Sequence, residues 1–238
     1  MTLRAQNSVS VKALVFDVFG TVVDWRGSII EEGKAFGIRI DWARFADEWR
    51  DGYVPSMAKV RKGELPWTNL DHLNRALLED LLKKYHIEGL SEEEKDRWNR
   101  VWHRLKPWPD SIAGLVRLKK KYTIAPLSNG NVALLSNMAK HAGLPWDLIL
   151  SAELARHYKP DREVYLTAVN LLELKPEEVM MCAAHSSDLV AARGCGLRTG
   201  FIHRLSEFGL AGKPDVAKEG DFDVVSRDIL DLASKLGA

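Results

Sequence analysis

Two hydrophobic periods divide the chain. Val11–Phe16 is a short apolar run rich in β-branched residues that ends against Asp17 and Gly20, which reads as a buried strand. From about residue 24 to residue 107 the period becomes helical. Leu70, Leu73, Leu77 and Leu81 form one stripe, and Trp98, Val101, Trp102 and Leu105 follow the spacing of a helix face. After Pro107-Trp108-Pro109 strand-like runs return at Tyr122–Leu127, Leu148–Ser151, Val179–Ala184 and Thr199–His203. Helical patterns near 131–142, 161–172 and 188–195 separate them, and a last one lies near 226–236. Strands alternating with helices predict an α/β fold with a parallel sheet covered on both faces. The core is split: residues 1–23 and 108–238 form it, and a helical insert occupies residues 24–107.

Composition narrows the class without naming it. The chain has 238 residues, and 34 basic against 33 acidic side chains leave a net charge of +1. That balance argues against a protein built to hold nucleic-acid phosphates. No apolar run reaches the roughly 18 residues of a membrane span, and the first ten residues lack the apolar segment of a secretory leader. Cys182 and Cys195 alone make neither a disulfide framework nor a four-cysteine zinc site. A soluble, cytoplasmic protein is expected, with no nucleic-acid or membrane partner. Trp42, Trp49, Trp67, Trp98, Trp102 and Trp108 fall in or at the end of the insert, where helix-core packing is the expectation. His141 and His157 have no partners at metal-ligand spacing.

In open parallel sheets ligands bind beyond the carboxyl ends of the strands. Strand one ends in Asp17-Val18-Phe19-Gly20-Thr21, and the strand at 122–127 runs into Ser128-Asn129-Gly130-Asn131. Tyr158-Lys159-Pro160-Asp161 follows the third strand, and His185-Ser186-Ser187-Asp188 follows the strand at 179–184. Each alone reads as a turn or helix cap. Together and in this order, FDVFGTVVDW, LSNGN, YKPDREVY and the HSSDL region resemble the haloacid dehalogenase superfamily. The resemblance implies a Rossmann-like core with an inserted helical cap domain.

Within that superfamily, phosphatases carry a second Asp two residues after the nucleophile. It protonates the departing alkoxide, and with other carboxylates it holds Mg²⁺. Phe19 stands there in this chain. A halide needs no proton to leave, so an aromatic ring at that place suits carbon–halogen chemistry. DVFGT, LSNGN and YKPDREVY look like the L-2-haloacid dehalogenase branch, which uses no metal or other cofactor. The resemblance implies a small halogenated carboxylic acid as substrate, water as co-substrate and a homodimer. The product of an (S)-2-haloacid is then an (R)-2-hydroxy acid, formed through an ester on Asp17. Thr21 and Lys159 hold the Asp17 carboxylate ionised, and Asp188 positions Lys159 or the water. Ser128 and Asn129 place the substrate, and Tyr165 and Phe19 line the pocket. Two alternatives stay open: a Mg²⁺-dependent phosphatase, and a catalytically idle binder that kept the fold.

Three positions depart from better-known members. Ala183 and His185 stand where those have Ser and Asn. His185 is a candidate base for ester hydrolysis or a group that positions by hydrogen bonding. The cap arginine that receives the halide has no clean counterpart. Arg61 is preferred because a fork of donors suits an anion, with Lys59 and Arg50 next. Phe19 replaces a frequent Tyr and removes a hydroxyl from the pocket wall.

Overall fold

β1 (Ala13–Phe16) lies inside a six-stranded sheet in the computed structural model, which describes residues 10–209 and 212–238. Residues 1–9, most of the stretch read above for a secretory leader, lie outside the described residues. The other strands are β4 (Thr123–Ser128), β5 (Leu150–Ser151), β6 (Val179–Ala183), β7 (Arg198–Ile202) and β8 (Val224–Ser226). Their order is β5-β4-β1-β6-β7-β8, and every neighbouring pair is parallel. Helices cover both faces, so β1 and β6 are buried along their whole length and read as continuous apolar runs. Chain order runs outward from β1 in both directions. That reversal opens a crevice at the carboxyl ends of β1, β4 and β6.

The insert leaves the core at β2 (Val23–Asp24) and returns at β3 (Lys106–Pro107). These two short strands pair antiparallel, Val23 with Pro107 and Asp24 with Lys106. Between them run α1 (Trp25–Ala35), α2 (Trp42–Asp51), α3 (Tyr53–Arg61), α4 (Leu70–Lys84) and α5 (Glu92–Asn99), and after them the core adds α6 (Ser111–Lys119), α7 (Val132–Ala142), α8 (Ala152–Ala155), α9 (Arg162–Leu171), α10 (Ser186–Gly194) and α11 (Ile229–Lys235). Short polar side chains start four of the insert helices, as helix ends require. Asp24 accepts from the Gly27 amide, Asp41 from the Ala43 and Arg44 amides, and Asn69 from the His72 amide; Ser91 and Glu94 form a capping box. Trp42, Trp49, Trp98 and Trp102 are buried in the insert core, as anticipated, together with Trp25 and Phe45. Phe45 stacks on Trp98, and Trp49 meets Trp102 edge-on. Trp67 packs on Tyr158 of the core, and the Trp108 indole donates to the Gly20 carbonyl.

Several elements differ from the reading of the sequence. The run from Trp98 to Leu105 is not one helix: α5 stops at Asn99 and a 3₁₀ turn follows over Arg100–His103. The same four apolar residues are buried all the same. β8, with three residues, and the two-residue β2 and β3 are too short to show a period. No helix among the described residues is long and apolar enough to cross a membrane.

Candidate active site

Asp17 is the first residue past β1, and its amide continues the ladder by donating to the Cys182 carbonyl of β6. The carboxylate is thereby fixed at the carboxyl edge of the sheet, and its residue is only 7% exposed. Gly20 adopts a positive φ and turns the chain so that Thr21 folds back beneath Asp17. The Thr21 hydroxyl accepts from the Ala184 amide at 2.9 Å and donates to Asp17 Oδ2 at 2.9 Å. One partner therefore sets the direction of the hydrogen offered to the other.

Lys159 reaches the same carboxylate from the loop before α9 (Arg162–Leu171). Its amide donates to Asn129 Oδ1, and its ammonium spans Asp17 Oδ1 at 3.0 Å and Asp188 Oδ2 at 2.6 Å. Asp188 lies in the first turn of α10 (Ser186–Gly194), and the Tyr165 hydroxyl of α9 donates to its Oδ1 at 2.6 Å. His185, just before α10, places Nδ1 3.1 Å from Asp17 Oδ2. Its Nε2 lies 3.1 Å from both oxygens of Glu207.

The electrostatics follow from these pairings. Burial alone raises the pKa of Asp17, but Lys159 and His185 outweigh it and hold the carboxyl well below the usual range. Lys159 is opposed by its own burial, yet two carboxylates raise its proton affinity above that of a free lysine. Burial pushes Asp188 up against the pull of Lys159, and the Asp17 charge adds to the rise. Burial also works against a charged His185, but contacts to Asp17 and Glu207 push its pKa up to about 10. At neutral pH the site therefore holds an ionised Asp17 between an ammonium and an imidazolium.

A cavity of about 370 Å³ opens over Asp17, with Asn129, Lys159, Tyr165, His185 and Asp188 on its core side. Arg50 at the end of α2 and Tyr53, Val54 and Met57 of α3 form the opposite wall. A larger hollow beside His203, Leu205 and Val216 holds none of the candidate site residues read from the sequence.

Most residues singled out from the sequence converge here, and three do not sit as expected. Ser128 is fully buried behind the cavity, where its hydroxyl accepts from the Gly130 amide. Phe19 turns away from the cavity and packs edge-on against Tyr53 and Trp102, because the apolar underside of the insert covers it. It supports the wall rather than forming it. Arg61 reaches the cavity mouth, but its guanidinium is committed to Asp161 at 2.6 Å, and its side chain is 37% exposed.

Among the described residues that line the cavity, Arg50 is the cation left for an anion. Its guanidinium stacks 4.2 Å from the Tyr53 ring centroid, and among the described residues its buried Nη1 has no hydrogen-bond partner. A buried, charged N–H without an acceptor is costly, and Arg50 lines the cavity, so this residue suits an anionic guest. The sequence carried a signal for it. Arg50 lies one turn after Ala46 and next to Trp49, at the edge of the buried face of α2. Glu207 carried none, since it sits in an aperiodic loop after β7.

The haloacid dehalogenase-like hydrolase family matches residues 11–196 of the chain. The chain is 31% identical over 206 residues to (S)-2-haloacid dehalogenase 4A of Burkholderia cepacia, spanning 82% of this chain and 84% of that one. A crystal structure of an L-2-haloacid dehalogenase superposes with a TM-score of 0.91 at 49% identity, covering 95% of this chain and 100% of that one. A second, of a defluorinating L-2-haloacid dehalogenase, gives a TM-score of 0.92 at 44% identity and covers 96% of each. The matched stretch carries Asp17, Asn129, Lys159 and Asp188 around one cavity at the carboxyl edge of the sheet, and the chain belongs to the haloacid dehalogenase-like hydrolase family.

Proposed function

We propose that this protein is a hydrolytic dehalogenase that converts (S)-2-haloacids to (R)-2-hydroxy acids through an ester on Asp17. The observation that carries the reading is the buried Asp17 carboxylate, kept ionised by Lys159 and His185, with Arg50, whose Nη1 has no hydrogen-bond partner among the described residues, on the opposite wall of a small cavity. An ionised, largely desolvated carboxylate is a competent nucleophile. One oxygen of Asp17 attacks C2, and the carbon–halogen bonding pair departs with the halide. Arg50 receives the halide or the substrate carboxylate. Water then adds to Cγ of Asp17 and breaks the acyl C–O bond. C2 is inverted in the first step and untouched in the second, so (S) becomes (R).

Asn129, Tyr165 and Asp188 orient the substrate and Lys159, while Thr21 holds the second carboxylate oxygen. Ser128 contributes through the turn that places Asn129. The phosphatase alternative loses support on two counts. Phe19 offers no proton to an alkoxide, and the ammonium of Lys159 already bridges the two carboxylates that would share a divalent cation. A cytoplasmic homodimer without metal or other cofactor completes the proposal.

The test is chloride release from (S)- and (R)-2-chloropropionate in EDTA, with p-nitrophenyl phosphate and Mg²⁺ as the control. Chloride and (R)-lactate from the (S) acid alone, undiminished by EDTA, is the expected result. Mg²⁺-dependent release of nitrophenol with no chloride would overturn it. Fluoroacetate belongs in the panel, since one similar structure is of a defluorinating enzyme.

A further inference from the structure

The deepest acid near the cavity is one for which the dehalogenation scheme has so far found no use. Glu207 is 2% exposed and lies in the loop after β7, far from any motif in the sequence. Its placement is built from three directions. The Trp25 indole donates to Oε1 at 3.1 Å, and both oxygens face His185 Nε2 at 3.1 Å. Gly20 leaves the space, since a Cβ there would fall 2.0 Å from Glu207 Oε1. The loop is anchored by Arg204, which donates to the Thr21 carbonyl and pairs with Asp110 through both terminal nitrogens. The turn that carries the nucleophile and the loop that carries Glu207 are thus tied together.

We propose that Glu207 is a positioning residue that fixes the His185 tautomer, so that Asp17, His185 and Glu207 form a relay for the hydrolytic half-reaction. This inference rests on the dehalogenation reading. In the resting site both imidazole nitrogens carry protons, with Nδ1–H on Asp17 and Nε2–H on Glu207, so His185 cannot accept one from water. Alkylation removes the Asp17 charge. The imidazolium then gives its Nδ1 proton to solvent, as halide leaves. A carboxylate only accepts hydrogen bonds, so Glu207 retains Nε2–H and leaves the Nδ1 lone pair toward the ester. Water adds to Cγ of Asp17 and passes a proton to Nδ1. The tetrahedral adduct expels the 2-alkoxide, which takes that proton. The Asp17 carboxyl group then gives its own proton to Nδ1 and restores the resting pair. One proton is released per turnover, and it accompanies the halide. The other charged groups around the pair are Lys159, Asp188 and Arg50 at the cavity, Asp24 at the root of the insert and Asp215 at the mouth.

Stopped-flow and rapid-quench measurements on the first turnover of (S)-2-chloropropionate test this. In unmodified protein, proton release is expected in step with chloride release and ahead of ester hydrolysis. Protons that appear only with hydrolysis would overturn the relay. In Glu207→Gln, chloride release should stay within a few-fold of the parent, while hydrolysis slows about 10²-fold, the low end for a lost general base. The ester should then accumulate in the intact-protein mass spectrum. In a His185→Asn background the same substitution should have no further effect. Normal ester hydrolysis in Glu207→Gln, or an equal slowing in the His185→Asn background, would overturn the proposal. Absence of chloride from the unmodified protein would instead overturn the dehalogenation reading, and this inference with it.

Discussion

Arg50 and Arg61 show how far side-chain types can be read along a chain, and where contacts take over. Both are cations in the segment that faces the sheet. Arg61 is paired with Asp161, whereas among the described residues the buried Nη1 of Arg50 has no acceptor. No one-dimensional pattern reveals which arginine already has a partner, and so the preference for Arg61 gives way to Arg50. Arg50→Ala should lower kcat/KM for 2-chloropropionate by about 10- to 1000-fold, the scale of a lost charge-assisted contact. Arg61→Ala should stay within a few-fold, and the reverse ranking in steady-state assays would contradict the assignment. Thr21 is the simpler case, legible from its place after Asp17. Thr21→Val keeps the shape but strands the Ala184 amide, so chemical denaturation should show a loss of about 1–3 kcal/mol. The same change should slow first-turnover halide release.

At the scale of elements, long periodic segments were legible and short ones were not. β1, β4, β6 and β7 and the helices Val132–Ala142, Arg162–Leu171 and Ser186–Gly194 fall within a few residues of their expected places, because each carries an apolar run or a buried apolar stripe. The β2–β3 pair and β8 are set by tertiary pairing across distant parts of the chain, which leaves no local period. The turn after β1 belongs to both groups. Its Asp and Thr were evident, but the reason for its Gly20 lies in Glu207, far along the sequence. Gly20→Ala meets two penalties, a positive φ of 85° and a clash with the Glu207 carboxylate. Thermal or urea denaturation should show a loss of at least about 1–3 kcal/mol. The Asp17 ester should also persist longer, as Glu207 is displaced from His185. A variant as stable as the parent would mean that the turn tolerates a Cβ and that Glu207 is not held there.

For the whole molecule, the charged site links folding to pH. His185 has an ordinary pKa of 6.5 and one of about 10 in the folded protein. A raised folded pKa means that the imidazolium stabilises the fold fully below the ordinary value, and that this contribution is lost as pH rises through the folded one. The stability gap between the parent and His185→Asn should therefore be widest below about pH 6.5 and narrow as pH rises toward about 10. Urea midpoints across that window measure it, and a gap independent of pH would contradict the imidazolium pairing. Asp17 runs in the opposite sense. Its depressed pKa keeps the nucleophile ionised well into acid, so first-turnover halide release should persist below the ordinary carboxylate range.

In the proposed reaction the oxygen delivered to C2 comes from Asp17 rather than directly from water. A single turnover of (S)-2-chloropropionate in ¹⁸O water, with protein in excess, separates the two routes. The ester route places ¹⁶O in the hydroxyl of the lactate and ¹⁸O in the carboxylate of Asp17, located by mass spectrometry of the peptide that contains it. ¹⁸O arriving in the lactate hydroxyl in that first turnover, with Asp17 unlabelled, would contradict the ester and the account built on it.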